Sequence, residues 1–186
     1  TPAPLPASTV PMAPSATGVA PAATKAAATL PTAAGFVDMI RADAVEASRT
    51  TGIPAQFIVA QAALETGWGR SEPRRADGGP SHNLFGIKAG RNWSGDVVEA
   101  VTTEYVDGVA QQKVERFRAY GSYAEAMRDY ANLLTSSPRY AGVLGVTDAA
   151  AFARGLQRAG YATDPAYADK LARIIGGQTL ASAALA

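Results

Sequence analysis

Residues 54–69 read PAQFIVAQAALETGWG. Pro54 suits the first turn of a helix, where its fixed φ and missing N–H cost nothing. Gly67-Trp68-Gly69 supplies the stop, since glycine accepts the left-handed backbone of a helix end. Between them Phe57, Gln61 and Leu64 mark one helical face, and Ile58, Ala62 and Glu65 the next. Glu65 thus lies on an apolar stripe instead of a charged face. A carboxyl in that position loses water, which penalises its ionised form and lets it hold a proton near neutral pH, as a general acid must. The competing reading is a helix-terminal Glu whose side chain swings into solvent.

On either side the pattern remains largely helical. Upstream, Phe36, Met39, Ile40 and Ala44 form a one-sided apolar stripe closed by Gly52. Downstream, residues 70–83 contain Pro73, Gly78, Gly79 and Pro80 and read as a loop. Residues 97–106 (VVEAVTTEYV) and 109–118 (VAQQKVERFR) are β-prone and flank Asp107-Gly108, a strong two-residue hairpin signal that would set Glu104 opposite Gln111. Ser122 and Glu125 form a capping box ahead of Ala126, Met127, Tyr130 and Leu134. Thr147 or Asp148 caps a helix carrying Phe152 and Leu156 and stopped by Gly160. Asp164-Pro165 opens one carrying Tyr167, Leu171 and Ile174, stopped by Gly176-Gly177. The alanine-rich end is expected to fray. The fold class is α+β, mainly α: a helical body interrupted by a small β-hairpin lobe.

The first 34 residues belong to a different kind of chain. They hold 12 Ala, 7 Pro, 6 Thr and 2 Ser with one charge, Lys25. Prolines remove amide donors and favour extended conformers, and Ala and Thr bring little apolar area to offset chain entropy. Residues 1–34 are therefore expected to be a disordered Pro/Ala/Thr-rich linker, and residues 35–186 one autonomous domain.

Composition also narrows the chemistry. Of 186 residues, 17 are basic and 16 acidic, for a formal net charge of +1, which offers no field for phosphate backbones and speaks against nucleic acid as a partner. With no cysteine and one histidine, His82, thiolate nucleophiles, disulfides and multi-imidazole zinc sites are excluded; carboxyl chemistry built on residues such as Glu65 needs neither a metal nor an organic cofactor. No nucleophile elbow accompanies His82, which reads as a structural hydrogen-bonder. No run of 18 apolar residues offers a membrane span, and the chain opens at Thr1 without the basic and apolar regions of an intact signal peptide. In HNLFGIK, residues 82–88, Asn83 is placed to bond backbone and Gly86 to permit close approach. Trp68, Trp93, Tyr105 and Tyr161 are candidate ligand-stacking surfaces, with core packing the alternative favoured for Trp68. Tyr123, Tyr130 and Tyr167 read as core, and Arg70, Arg74 and Arg75 as a solvated loop.

Four motifs in order, ALETGWG, HNLFGIK, EYVDG and GYATDPAYADKL, resemble the glucosaminidase family of peptidoglycan hydrolases, within the lysozyme-like superfamily. The likeness runs from about Gly35 to Gly176. Within the family it is nearest to the muramidase-like domain of flagellar rod-assembly hydrolases of Gram-negative bacteria, where that domain follows a rod-binding domain and a linker. The resemblance implies a lysozyme-like body with the hairpin lobe across a substrate cleft. It implies Glu65 as the catalytic acid, Glu104 as the base or water-orienting carboxylate, and Tyr161 as support in the cleft. Asn83, Trp93 and Tyr105 are the expected substrate-binding residues.

Glu99 and Asp107 compete with Glu104. Because Glu99 and Glu104 are an odd number of residues apart, only one of the two faces the cleft of an unbroken strand. The implied activity is endo-β-N-acetylglucosaminidase cleavage of peptidoglycan in the periplasm or cell wall, letting the flagellar rod pass, with rod proteins as partners through an upstream domain. The alternatives are a lytic transglycosylase and a catalytically silent wall-binding module.

Overall fold

The structure is a computed structural model and describes residues 31–183; all of the expected linker except residues 31–34 lies outside them. Helix α1 (Ala33–Thr51) begins two residues before the expected boundary, because the Thr32 hydroxyl accepts the Gly35 N–H at 3.0 Å and caps it. Phe36, Val37, Ile40, Ala44, Ala47 and Thr51 form its buried stripe. Met39, expected on that stripe, is 44% exposed, since it falls to one side of the row that Phe36, Ile40 and Ala44 trace. Gly52, at φ 69°, closes the helix through its N–H to the Ser48 carbonyl.

Helix α2 (Ala55–Thr66) starts one residue after Pro54, which is its N-cap, and ends at the left-handed Gly67. Ala55, every residue from Phe57 to Ala63, Glu65 and Thr66 are buried. The helix is apolar all round and so belongs inside the domain. It packs against α1 and against α5 (Tyr167–Ile175).

The hairpin has the expected register. Strands β1 (Val97–Val106) and β2 (Val109–Arg118) pair antiparallel, with Val106 opposite Val109 and Glu104 opposite Gln111. Asp107 (φ 51°) and Gly108 (φ 77°) are both left-handed, as a two-residue turn matched to strand twist demands. Val98, Thr102 and Glu104 are buried on one face, whereas Glu99 and Asp107 are exposed. Lys88 bridges by backbone to Phe117, the partner of Val98, yet its ammonium reaches Glu104, six positions further along β1. A flat strand would separate those positions by about 20 Å, so the hairpin curls over its inner face.

Helix α3 (Tyr123–Ser136) starts at Ser122, which accepts the Glu125 N–H. The Glu125 carboxylate reaches back to the Gly121 N–H at 2.7 Å, one residue further than in the usual box. A 3-10 turn at Pro138–Val143, unmarked in the sequence pattern, buries Tyr140 and Val143. Asp148, and not Thr147, caps α4 (Ala149–Arg158). A short α6 (Gln178–Ala181) buries Leu180 within the alanine-rich end; residues 184–186, at the end expected to fray, lie outside the described ones. No helix among the described residues is long and apolar enough to cross a membrane.

Candidate active site

Glu65 is the penultimate residue of α2 and is 8% exposed, with its Oε1 buried and unpartnered. Burial drives its pKa well above the usual carboxylate range, and the Tyr167 hydroxyl opposes that shift. The negative pole of the helix C-terminus acts in the same direction as burial. Among the described residues, no cation is one of the causes acting on the Glu65 pKa. Tyr130, Tyr161 and Tyr167 are buried, and burial pushes all three hydroxyls well above the ordinary phenol range, with Glu65 contributing to each. They stay neutral. A buried carboxyl among neutral phenols has its protonated form favoured, the condition a general acid requires.

The loops assemble this shell through directed bonds. Tyr161 is 1% exposed, donates its hydroxyl to the Phe85 carbonyl at 2.7 Å and stacks on Tyr167 with centroids 6.1 Å apart. Phe85 stacks on Tyr130 at 4.0 Å, and the Tyr130 hydroxyl donates to Gln61 Oε1 at 2.5 Å. One loop, two helices and the α4–α5 connection therefore converge around Glu65.

Asn83 is where the expectation of a substrate-binding residue meets a physical obstacle. It is 1% exposed. Its Nδ2 donates to the Ile87 and Arg118 carbonyls at 2.9 and 2.8 Å, while its Oδ1 accepts the Phe85 and Ile87 N–H groups. Both amide protons and both acceptor positions are spent, so Asn83 clamps the 83–87 loop to the hairpin root and has nothing left for a ligand. Asn83→Ala is expected to remove about 3 kcal/mol or more, because four backbone partners, three of them in buried bonds, lose their hydrogen bonds. That corresponds to a fall in Tm of roughly 6–12 °C by calorimetry, with KM unchanged in the fraction that remains folded.

Glu104 is 5% exposed on the inner hairpin face. It is ion-paired to Lys88, and Lys113 Nζ lies 3.5 Å from its Oε2, while Glu115 sits 3.4 Å from the Lys88 ammonium. The backbone N–H of the next residue, Tyr105, donates to Thr163 Oγ1 at 3.1 Å. That bond fastens the lobe to the connection carrying Tyr161. Glu65, Tyr161 and Glu104 are thus linked through adjacent segments. Tyr105 itself pairs with Ala110, and strand alternation puts its side chain on the face opposite Glu104, beside the exposed Val101 and Val114. Trp93 lies at the hairpin root: its Nε1 donates to the Asp96 carbonyl at 2.9 Å and the Arg118 guanidinium stacks 4.7 Å from its ring centroid. This places Trp93 with Tyr120 as a brace.

His82 is structural, as expected. Its Nδ1 meets the Tyr120 carbonyl at 2.9 Å, and its backbone N–H bonds the buried Glu72, which also accepts the Tyr123 hydroxyl at 2.8 Å. Trp68 is half-buried at φ 61° and packs edge-on to Phe36. Arg75, expected to be solvated, instead staples its loop to Asp96 and the Tyr120 carbonyl. The sequence reading does not single out Lys88 or Gln61 as site candidates, and it takes Tyr167 for core although its hydroxyl interacts with Glu65. The signal for Lys88 was its place at the end of HNLFGIK, and for Gln61 its i,i+4 spacing to Glu65 on one helix. Among the described residues, no group of three or more His, Cys, Asp or Glu side chains could hold a metal ion.

The chain is similar to known proteins over most of the described residues. The family model described as Glucosaminidase: Mannosyl-glycoprotein endo-beta-N-acetylglucosaminidase matches residues 41–180. The peptidoglycan hydrolase FlgJ of Escherichia coli (strain K12) is 51% identical over 140 residues, covering 75% of this chain and 45% of the relative. The chain thus spans about half the length of the curated relatives it matches. A crystal structure of a peptidoglycan hydrolase mutant from Sphingomonas sp. A1 superposes with a TM-score of 0.78 at 60% identity, covering 80% of this chain and 96% of that one. A C-terminally truncated glycoside hydrolase domain of Salmonella typhimurium FlgJ does so with a TM-score of 0.65 at 47% identity, over 78% and 96%.

Proposed function

Because the chain belongs to the glucosaminidase family, we propose that it is a peptidoglycan hydrolase that cleaves the β-N-acetylglucosaminyl bonds of glycan strands from within. The observation that carries this reading is Glu65, a carboxyl whose burial among tyrosines drives its pKa well above the usual carboxylate range. In the proposed reaction Glu65 gives its proton to the glycosidic oxygen as the bond breaks. Glu104, held on the hairpin by Lys88, orients and deprotonates the water that completes the hydrolysis. Two carboxylates suffice for this chemistry, with the oxocarbenium-like charge facing Glu104 and the leaving group facing Glu65. Tyr161 supports the cleft through its hold on the Phe85 carbonyl. We place the reaction in the periplasm, where local opening of the wall would let a flagellar rod pass; the FlgJ relatives motivate this assignment.

The test is mass spectrometry of purified peptidoglycan digested by the protein. Internal fragments ending in reducing N-acetylglucosamine are expected. Release of single terminal sugars would indicate exo-cleavage, 1,6-anhydromuramic ends would indicate a lytic transglycosylase, and an undigested wall that retains the protein would indicate a binding module. Each of those three results would overturn the proposal.

A further inference from the structure

Three buried polar atoms stand unpartnered around the acid: Glu65 Oε1, Gln61 Nε2 and the Tyr167 hydroxyl. Their residues are 8%, 0% and 4% exposed. An unsatisfied buried polar group costs about 1–3 kcal/mol, so three at one place, on two helices that pack together, call for a reason. The directions of the neighbouring bonds give one. The Tyr130 hydroxyl spends its proton on Gln61 Oε1, which fixes the amide and leaves Nε2 as a donor. Tyr167, on α5, lies close enough to interact with both Gln61 and Glu65, though it makes no well-formed hydrogen bond to either. Each member has a donor for the next: hydroxyl to carbonyl, amide to hydroxyl, hydroxyl to carboxylate.

We propose that Gln61 and Tyr167 are positioning residues for Glu65, forming with Tyr130 a one-way hydrogen-bond chain, Tyr130 to Gln61 to Tyr167 to Glu65, whose last two links close when Glu65 gives up its proton. With Glu65 protonated the links are slack, and the carboxyl keeps its proton for the leaving group. Once the proton has gone to the glycosidic oxygen, the Tyr167 O–H donates to the new carboxylate, backed by the Gln61 N–H. No proton leaves the chain; the hydroxyl and amide only reorient and shorten their contacts. The charge that develops on Glu65 during bond cleavage is thereby met by donors already in place, the kind of preorganisation that lowers a barrier. Tyr161 has no part in this chain, because its hydroxyl is spent on the Phe85 carbonyl.

This inference rests on the reading of Glu65 as the acid, so its test includes a measurement that needs no substrate. The side-chain carboxyl resonance of Glu65 in 13C-glutamate-labelled protein, identified by its loss in Glu65→Gln, is followed against pH in the parent, in Tyr167→Phe, in Gln61→Met and in the double variant. Removing the Tyr167 hydroxyl takes away a donor to the ionised form, so the Glu65 titration should move to higher pH, and the alkaline limb of kcat/KM should move with it. Gln61→Met should move both in the same direction by a smaller amount, and should add nothing in the Tyr167→Phe background, because it acts through that hydroxyl. At the pH optimum kcat should fall about tenfold in Tyr167→Phe with KM nearly unchanged. A titration unmoved in Tyr167→Phe, or a Gln61→Met shift that persists in full without the hydroxyl, would overturn the chain. If the wall were not digested while the titrations shifted as described, the chain would stand and the proposed function would fall.

Discussion

Glu65→Gln is expected to lose at least ~10²-fold in the rate of glycan cleavage, measured as turbidity loss of purified walls, while the fold stays intact. The substitution keeps the size and acceptor of the side chain but removes the proton that the leaving oxygen needs. Near-normal turnover would end the assignment of Glu65 as acid. The same variant should also be more stable than the parent, and the sign follows from the raised pKa. The folded state holds the Glu65 proton more tightly than the unfolded chain does. Stability is therefore complete below the unfolded carboxylate pKa, about 4.3, and is lost as pH rises through the interval up to the folded value. Gln carries no such penalty. The Tm advantage of Glu65→Gln should be small at pH 4 and grow as pH rises, until Glu65 has ionised in the parent. An advantage that does not vary with pH would mean that Glu65 is not held protonated by the fold.

Glu104→Gln is expected to lower activity by roughly 10- to 10²-fold, less than Glu65→Gln, because water then meets the reacting carbon without a base. The ion pair makes a second expectation possible. Lys88 grips the Glu104 carboxylate from the end of the HNLFGIK segment, so Lys88→Met should reproduce much of the Glu104→Gln loss in kcat, and Lys88→Arg should restore part of it. Glu104→Gln in the Lys88→Met background should cost little more, since both changes remove one oriented carboxylate. Additive losses would separate the two residues and leave Lys88 as a support of the hairpin only. The anomeric configuration of the first product, read by NMR, decides between inversion by a Glu104-activated water and a retaining route.

The local grammar of this chain was readable without its structure. Asp107-Gly108 fixed the hairpin turn and hence the register that turns Glu104 inward and Glu99 outward, because strand pairing follows from turn length and strict alternation. Gly52 and Gly67 closed α1 and α2 for an equally local reason. Glu65 stood out because a charge among apolar residues on one short helix is a conflict visible in the string alone, and the four ordered motifs named the family.

What the string could not decide were partnerships between residues far apart in sequence. Asn83 reads as a polar residue on a loop. Only the fold brings the Ile87 and Arg118 carbonyls to its amide and turns it into a clamp. Tyr167 reads as one more apolar position on α5, and only the packing of α5 against α2 sets its hydroxyl beside Glu65. Lys88 and Glu104 meet because the hairpin curls, a property of accumulated strand twist that no single residue carries. Sequence periodicity determined which way each side chain leaves its own helix or strand; the tertiary structure alone decided what each one met there, since desolvation and hydrogen-bond satisfaction belong to the neighbours as much as to the residue.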